Sequence, residues 1–211
     1  MKQSEIDIRR KEFFNNHADS WFDTFYVNSE SGTVNRFEEK FSQLFDNIPL
    51  NEGDIVLDAG CGPGVLVPYI LDRIGTEGQL FEVDYAEKMI AVNQRMHDDK
   101  RITFLVSSVE KLDISCGSID AVICFSCFPH FQDKIKLLQE VRRILKHGSS
   151  LTIAHLDSSE NINNRHSKHE CVMHDHLPPE PEMRRLLTDA GFLVEQFIDE
   201  SGFYCICAIA V

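Results

Sequence analysis

A glycine-rich loop is the first place in the sequence where residue types and spacing indicate chemistry. The run Val56-Leu57-Asp58-Ala59-Gly60-Cys61-Gly62-Pro63-Gly64 has the form D-x-G-x-G-x-G and lies between an apolar segment and a helical one. Glycines permit a tight turn and let the backbone approach a ligand closely. Asp84 ends the next apolar segment, where a carboxylate can accept hydrogen bonds from two ribose hydroxyls. The two features predict a nucleoside-containing ligand.

The spacing of the glycines separates this loop from the dinucleotide-binding fingerprint, which is G-x-G-x-x-G. Pro63 also suits poorly a turn that must offer backbone N–H groups to a pyrophosphate, because proline has no N–H. Asp58, two residues before the first glycine, would face a cation instead.

Histidines form the second group of residues that could carry out chemistry. Five of the nine lie between residues 155 and 176. His130 follows one predicted strand, His155 ends another, and His166 lies just beyond. We expect the two strands to be neighbours, so the three side chains should converge. One histidine can act as a general base near neutral pH. Three with an open position are typical of catalytic zinc. A structural or solvent-exposed role is the third alternative, and all three stay open.

The elements that must position these residues alternate between strand and helix after residue 55. Apolar runs predict the strands Ile55–Asp58, Gln79–Asp84, Ile102–Val106, Ile119–Phe125 and Ser150–His155, and a terminal hairpin of Leu193–Phe197 and Tyr204–Ala210. Helical spacing and glycine stops predict the helices 35–46, Val65–Ile74, Ala86–Met96, Ile135–Lys146 and 181–191. This alternation predicts an α/β fold with a mostly parallel sheet and helices on both faces. Residues 156–180 are predicted to be irregular, and a loop of this length is usually functional.

Composition excludes several classes of protein. The chain has 211 residues and a formal charge of −13, a size that suits one domain. It has no run of basic residues, so nucleic acid and anionic membrane surfaces are not expected partners. No apolar run approaches the ~18 residues that span a bilayer. The charged residues 1–12 are unlike a signal peptide, and the seven cysteines are odd in number, so we expect a cytoplasmic protein without disulfides.

Residues 55–155 resemble the class I S-adenosylmethionine-dependent methyltransferases. VLDAGCGPG resembles the first motif of the family, FEVDYAEKMI the second and ITFLVSSVEKL the third; SIDAVICFSCFPHF and VRRILKHGSSLTIAH resemble the motifs of strands four and five. Ser108 stands where the family often has aspartate. FFNNHADSWFD resembles the opening segment of the ubiquinone/menaquinone C-methyltransferase-like subgroup. The resemblance implies a Rossmann-like methyltransferase fold with a seven-stranded, mostly parallel sheet and a C-terminal antiparallel hairpin.

The resemblance also implies a division of labour within a single methyltransferase domain, residues 1–211. Residues 1–50 would form an N-terminal helical lid, 51–155 the cofactor-binding core, 156–180 a His-rich loop on the substrate side, and 181–211 the C-terminal helix and hairpin. The implied cofactor-binding residues are Asp58, Gly60, Cys61, Gly62, Gly64, Asp84, Tyr85, Met89, Ser108, Val109, Cys124 and Phe125. His17 and Trp21 would belong to the lid, and Asn163 would contact the substrate.

The leading hypothesis is a methyltransferase that uses S-adenosylmethionine and acts on a small molecule by in-line transfer. His130, His155 and His166 would serve as the base or as ligands of a divalent metal ion. A non-catalytic regulatory protein that binds S-adenosylmethionine or a metal is the alternative from a different class. An NAD-dependent oxidoreductase is the third. No motif specifies the acceptor or the oligomeric state.

Overall fold

Seven strands form one sheet in the part of the chain that the computed structural model describes, residues 3–26 and 35–211. The strands are β1 (Ile55–Ala59), β2 (Gln79–Asp84), β3 (Ile102–Val106), β4 (Ile119–Phe125), β5 (Leu145–His155), β6 (Phe192–Glu200) and β7 (Phe203–Ala210). Their order in the sheet is β3-β2-β1-β4-β5-β7-β6. Strands β1 to β5 run parallel, and β7 lies antiparallel between β5 and β6. The predicted fold class is therefore confirmed.

Helices surround the sheet, and local sequence accounts for where several of them begin or end. They are α1 (Gln3–His17), α2 (Trp21–Phe25), α3 (Asn35–Asp46), α4 (Val67–Ile74), α5 (Glu87–Met96), α6 (Lys134–Ile144), α7 (Ser159–His166) and α8 (Glu180–Asp189). Gly75 ends α4 at a φ of 64°. Asp133 caps α6 by accepting the Lys136 N–H, and Ser158 caps α7 in the same way. Of the helices described, none is long and apolar enough to cross a membrane.

Two apolar cores lie on opposite faces of the sheet. Helices α3 and α4 cover one face, where Phe41, Leu44 and Phe45 are buried. Helices α6 and α8 cover the other face with residues such as Leu138 and Met183. This two-sided burial explains why the strands consist of continuous apolar runs. It also leaves the carboxyl ends of the parallel strands free to carry polar groups.

The structure differs from the sequence predictions at three places. Helix α6 ends at Ile144 and β5 begins at Leu145, whereas the prediction extended the helix to Lys146 and started the strand at Ser150. The early start is stabilised by Leu145, which pairs with Ile119 of β4. Within the predicted irregular segment, 159–166 form α7, which buries only Ile162 and therefore shows little apolar periodicity. The terminal hairpin is longer than predicted.

Two other expectations concern the N-terminus and the cysteines. Residues 1, 2 and 27–34 of the predicted lid lie outside the described residues. All seven cysteines lie inside them, and none forms a disulfide.

Candidate active site

A cavity of about 290 Å³ opens at the carboxyl ends of β1, β2 and β4. The strand order changes direction between β1 and β4, which is where an open α/β sheet binds its ligands. Most of the residues predicted for the cofactor line this cavity: Asp58, Gly60, Cys61, Gly62, Asp84, Tyr85, Met89, Ser108, Val109 and Phe125. Trp21 and His130 line it as well, whereas Gly64 and Cys124 are not among its lining residues.

Two neighbouring side chains lie directly against the glycine loop, so a side chain added at Gly60 or Gly64 would overlap with them. A Cβ atom on Gly60 would lie 2.8 Å from the Cβ of Cys127. A Cβ atom on Gly64 would lie 2.3 Å from the Oδ1 of Asn93. Both glycines have positive φ angles, 73° and 85°, which other residues adopt only with strain. The loop is further held by the N–H of Gly60, which donates to the Val83 carbonyl at 2.8 Å.

Asp84 stands at the end of β2 with its carboxylate against the glycine loop. Its Oδ2 accepts the N–H of Gly62 at 3.0 Å, and its Oδ1 accepts the N–H of Ala86 at 2.8 Å. Burial raises the pKa of Asp84 to about 6, although the backbone donors act in the opposite direction. A carboxylate has about four acceptor sites, so further hydroxyl donors can bind to the same oxygens.

Asp58 and Glu82 lie side by side beneath the loop, because they are directly paired in the parallel register of β1 and β2. Both are buried, and Glu82 accepts a hydrogen bond of 2.6 Å from the Nδ2 of Asn93. The Oδ1 of Asp58 and the Oε1 of Glu82 have no hydrogen-bond partner among the described residues. Burial raises the pKa of Glu82 to about 7, and burial together with Glu82 raises that of Asp58.

Sequence reasoning missed Glu82 and Asn93. The available signal was an acidic residue inside an apolar strand, Phe81-Glu82-Val83, where a solvated acid is not expected.

A strained residue marks the end of β4. Ser126 has a φ of 55°, the one positive φ at a non-glycine residue in the described chain, and it lines the cavity. Its N–H donates to the Ala154 carbonyl at 2.8 Å, and its side chain is hydrogen-bonded to the buried Tyr26 phenol. Such strain persists only where neighbouring contacts hold it, and it is concentrated at functional sites.

His130 is held on the cavity wall by a buried carboxylate from the His-rich loop. Its Nδ1 lies 2.8 Å from the Oδ2 of Asp175. The other oxygen of Asp175 accepts a hydrogen bond of 2.6 Å from the Nη2 of Arg10 in α1. The Asp175 side chain is only 2% exposed, so this carboxylate is shared by two partners away from solvent. Sequence reasoning missed both Arg10 and Asp175, because an acid in a polar loop gives no sign that it is buried.

The other two predicted catalytic histidines occupy different positions. His166 lies beside His130, with ring centroids 5.0 Å apart, and its Nδ1 is 2.8 Å from the Asp175 carbonyl oxygen. His155 packs edge-on against Tyr204 and is 4% exposed. Burial lowers the pKa of His155 to about 3, with His130 and His166 contributing. Neither His155 nor His166 is among the residues that line the cavity.

The predicted metal site is not supported. Within residues 3–26 and 35–211, no three histidine, cysteine or acidic side chains are grouped so that they could hold a metal ion. The Nδ1 atoms of His130 and His166 are both engaged by Asp175, and His155 packs against Tyr204.

His17, predicted to belong to the lid, and Asn163, predicted to contact the substrate, form hydrogen bonds within the protein. The Nδ1 of His17 lies 2.8 Å from the Phe13 carbonyl oxygen, and His17 does not line the cavity. Asn163 holds the backbone of Leu177, to which it donates at 3.0 Å and from which it accepts at 2.8 Å. Asn163 therefore stabilises the backbone of the His-rich loop and is not among the residues that line the cavity.

Known proteins are similar to this chain in sequence. Residues 57–153 match the family described as "Methyltransferase domain". Norajmaline N-methyltransferase of Rauvolfia serpentina is 22% identical over 81% of this chain and 53% of its own length. The 27-O-demethylrifamycin SV methyltransferase of Amycolatopsis mediterranei is 27% identical over 61% of this chain and 48% of its own length. The chain thus spans about half the length of these curated relatives.

Solved structures agree with the sequence matches. A SAM-dependent methyltransferase from Aquifex aeolicus has 25% identity and a TM-score of 0.65, over 81% of this chain and 89% of its own. A methyltransferase in complex with the Haloferax volcanii Trm112 activator has 23% identity and a TM-score of 0.76, over 93% and 97%. The chain thus has the Rossmann-like fold of the S-adenosylmethionine-dependent methyltransferases, and its residues 57–153 match a methyltransferase domain.

The finer resemblance to quinone C-methyltransferases finds no support in these matches. It depends on residues 13–23, whereas the matched family segment begins at residue 57.

The contact between Gly64 and Asn93 generates a stability prediction. Gly64→Ala should destabilise the protein by about 2–4 kcal/mol, through positive-φ strain and overlap with Asn93. Gly53→Ala is the matched control, because Gly53 has a φ of 86° with nothing within 4 Å of an added Cβ. It should cost only about 1 kcal/mol. Urea unfolding measures both, and equal losses would mean that the loop does not rest on Asn93.

The buried Glu82 generates a pH prediction. Its pKa in the folded protein is about 7 against an ordinary value of 4.5, so ionisation opposes folding. The contribution of Glu82 to the stability of the ligand-free protein should therefore be fully present near pH ~4 and be lost as the pH rises through ~7. Glu82→Gln should be more stable than wild type by about 1–3 kcal/mol at pH ~8, with little difference at pH ~4. The exposed Glu77→Gln should leave the pH curve unchanged. Wild-type and Glu82→Gln curves that run parallel from pH ~4 to ~8 would contradict the assignment.

Proposed function

We propose that the protein transfers a methyl group from S-adenosylmethionine to a small-molecule acceptor, with His130 as the general base. The observation that carries this proposal is the His130–Asp175 pair on the wall of the cavity that begins at the glycine loop. The match of residues 57–153 to a methyltransferase domain supports the methyl donor. Relatives named for N- and O-methylation of small molecules support the class of acceptor.

The residues around the glycine loop fit the cofactor. Gly60 and Gly64 allow the backbone to lie close against its neighbours, and Asp58 offers an oxygen without a partner. In this proposal Asp84 binds the ribose hydroxyls, and Asp58 and the loop hold the methionine end. Ser108, Val109, Met89 and Tyr85 surround the adenine. When bound, the cofactor supplies a methyl group on a sulfonium that is open to in-line attack.

His130 is prepared to accept a proton through its Nε2. An ionised carboxylate only accepts hydrogen bonds, so Asp175 requires the proton of the neutral imidazole to be on Nδ1. Nε2 is then free to take the proton of an acceptor hydroxyl or amine. The imidazolium that results stays paired with Asp175, and Arg10 keeps that carboxylate in place. His155 and His166 have no part in this proton transfer.

Aromatic side chains from α1 and α2 line the side of the cavity near His130. Phe14 lies 5.4 Å from the His130 ring and 5.6 Å from Trp21, measured between ring centroids. Phe131 lines the same cavity. Walls of this kind exclude water from the reacting groups and favour an apolar or aromatic acceptor that carries one ionisable hydroxyl or amine.

The test of the function is direct. The protein is incubated with S-adenosylmethionine and a panel of small phenols, alcohols, amines and thiols, and S-adenosylhomocysteine is measured. Acceptor-dependent formation of S-adenosylhomocysteine supports the proposal. Tight binding of NAD without binding of S-adenosylmethionine would overturn it.

Asp84→Ala should weaken the binding of S-adenosylmethionine by about 1–3 kcal/mol, because it leaves the ribose hydroxyls without an acceptor. Titration calorimetry measures the change. Asp98→Ala is the matched control, since Asp98 is an exposed acid outside the cavity and its loss should leave the affinity unchanged. Unchanged affinity in Asp84→Ala would refute the role of this carboxylate.

His130→Gln should lower kcat by about 10²–10⁴-fold with little change in the affinity for S-adenosylmethionine, because it removes the base and not the cofactor contacts. Asp175→Asn should lower kcat as well and change its pH profile, since an amide does not fix the imidazole tautomer as a carboxylate does. The control is His174→Gln, an exposed histidine of the same loop, which should retain full turnover. If His130→Gln keeps wild-type kcat, His130 is not the base.

A further inference from the structure

Among the described residues, Glu82 is the one buried acid that the mechanism above does not use. Glu82 is fully buried in the middle of β2, behind Asp58, and is not among the residues that line the cavity. Burying an ionised carboxylate is costly unless a partner compensates for its charge. No described Lys or Arg forms an ion pair with Glu82 or Asp58.

The surroundings of the two acids are nearly all acidic or neutral. Asn93 of α5 donates one hydrogen bond to Glu82. The other titratable groups that face the pair are Asp84 from β2, the Cys61 thiol from the glycine loop, the Cys124 and Cys127 thiols in and after β4, and the Tyr26 phenol. All of these groups become negative when they ionise, so none of them supplies a positive charge to two adjacent carboxylates, and the Cys61 thiol contributes only a hydrogen bond to Glu82.

The pairing of Asp58 with Glu82 and their two oxygens without partners indicate that the two carboxyl groups interact with each other. Asp58 and Glu82 are paired across β1 and β2, and each has a buried oxygen that no described donor reaches. Two adjacent carboxyl groups that share one proton form a hydrogen bond with each other and carry one charge instead of two. We propose that Asp58 and Glu82 share a proton in the free protein and release it to solvent when the cationic methyl donor binds at Asp58.

This inference rests on the proposed function, and it gives Glu82 a role in specificity. Once the proton has left, two negative charges lie near the methionine end of the ligand. Both the donor and the product carry an α-ammonium there, and the donor has the further positive charge of the sulfonium, which the thioether product lacks. Glu82 is then a positioning residue that acts through Asp58 and raises the preference for the sulfonium donor over the thioether product. The directions of the pKa changes, both upward in the free protein, agree with a proton that is still bound near neutral pH.

Proton release is measurable without turnover. Calorimetric titrations at pH ~7, in buffers with different enthalpies of ionisation, give the number of protons released on binding. We expect wild-type protein to release about 0.5–1 proton with S-adenosylmethionine and a smaller number with S-adenosylhomocysteine, whose sulfur is uncharged. Glu82→Gln should release almost none, because the introduced amide can donate its N–H to Asp58 and leaves that acid ionised beforehand.

The affinities provide a second readout. Glu82→Gln should reduce the ratio of the affinities for S-adenosylmethionine and S-adenosylhomocysteine by about three- to ten-fold, since one charge behind the site is lost. The exposed Glu77→Gln changes the net charge equally and should keep both the proton release and the ratio. Melting temperatures check that both variants are folded.

The outcomes separate this inference from the proposed function. If neither ligand binds to the wild-type protein, the proposed function fails and the inference fails with it. If both bind and Glu82→Gln releases as many protons as wild type, only the inference is overturned. Should Glu82→Gln not fold, the wild-type protein still decides, because binding of S-adenosylmethionine without proton release contradicts the shared proton.

Discussion

Burial of carboxylates at the carboxyl ends of β1 and β2 is the constraint around which the rest of the protein is arranged. Asp58, Glu82 and Asp84 are all buried, and burial raises the pKa of each. The N–H of Gly62 in the glycine loop donates to Asp84, and the side-chain amide of Asn93 donates to Glu82. The free protein is therefore less stable than an apolar version of the same site would be, and a bound cation would restore part of that stability.

A second buried carboxylate connects segments that are far apart in sequence. Asp175, in the loop between α7 and α8, contacts Arg10 of α1 and His130 after β4. Each of these three segments alone has little reason to adopt one orientation. Their shared ion pair and hydrogen bond fix the position of α1 over the cavity together with the orientation of the imidazole. Loss of one partner would leave a buried charge uncompensated, which is more damaging than the loss of a surface ion pair.

The sequence predicted the sheet and the glycine loop because those features are encoded locally. Apolar runs, glycine stops and D-x-G-x-G-x-G each lie within a few residues, and most predicted cofactor residues line one cavity. Contacts between residues that are far apart in sequence leave no such local pattern. Asp175 looked like a solvated loop acid until Arg10 and His130 were brought to it. His155 was placed at the correct sheet edge, but spacing along a strand does not reveal that its ring turns toward Tyr204.

The position of β7 has a consequence for the order in which the sheet assembles. β6 precedes β7 along the chain, yet β7 lies between β5 and β6 and pairs with both. During synthesis β6 emerges before any strand it can pair with, and the edge of β5 stays open until β7 follows. The pairing of His155 with Tyr204 belongs to that final step. Assembly of this half of the sheet thus depends on non-local contacts, which form slowly and leave an unpaired edge exposed to aggregation in the meantime.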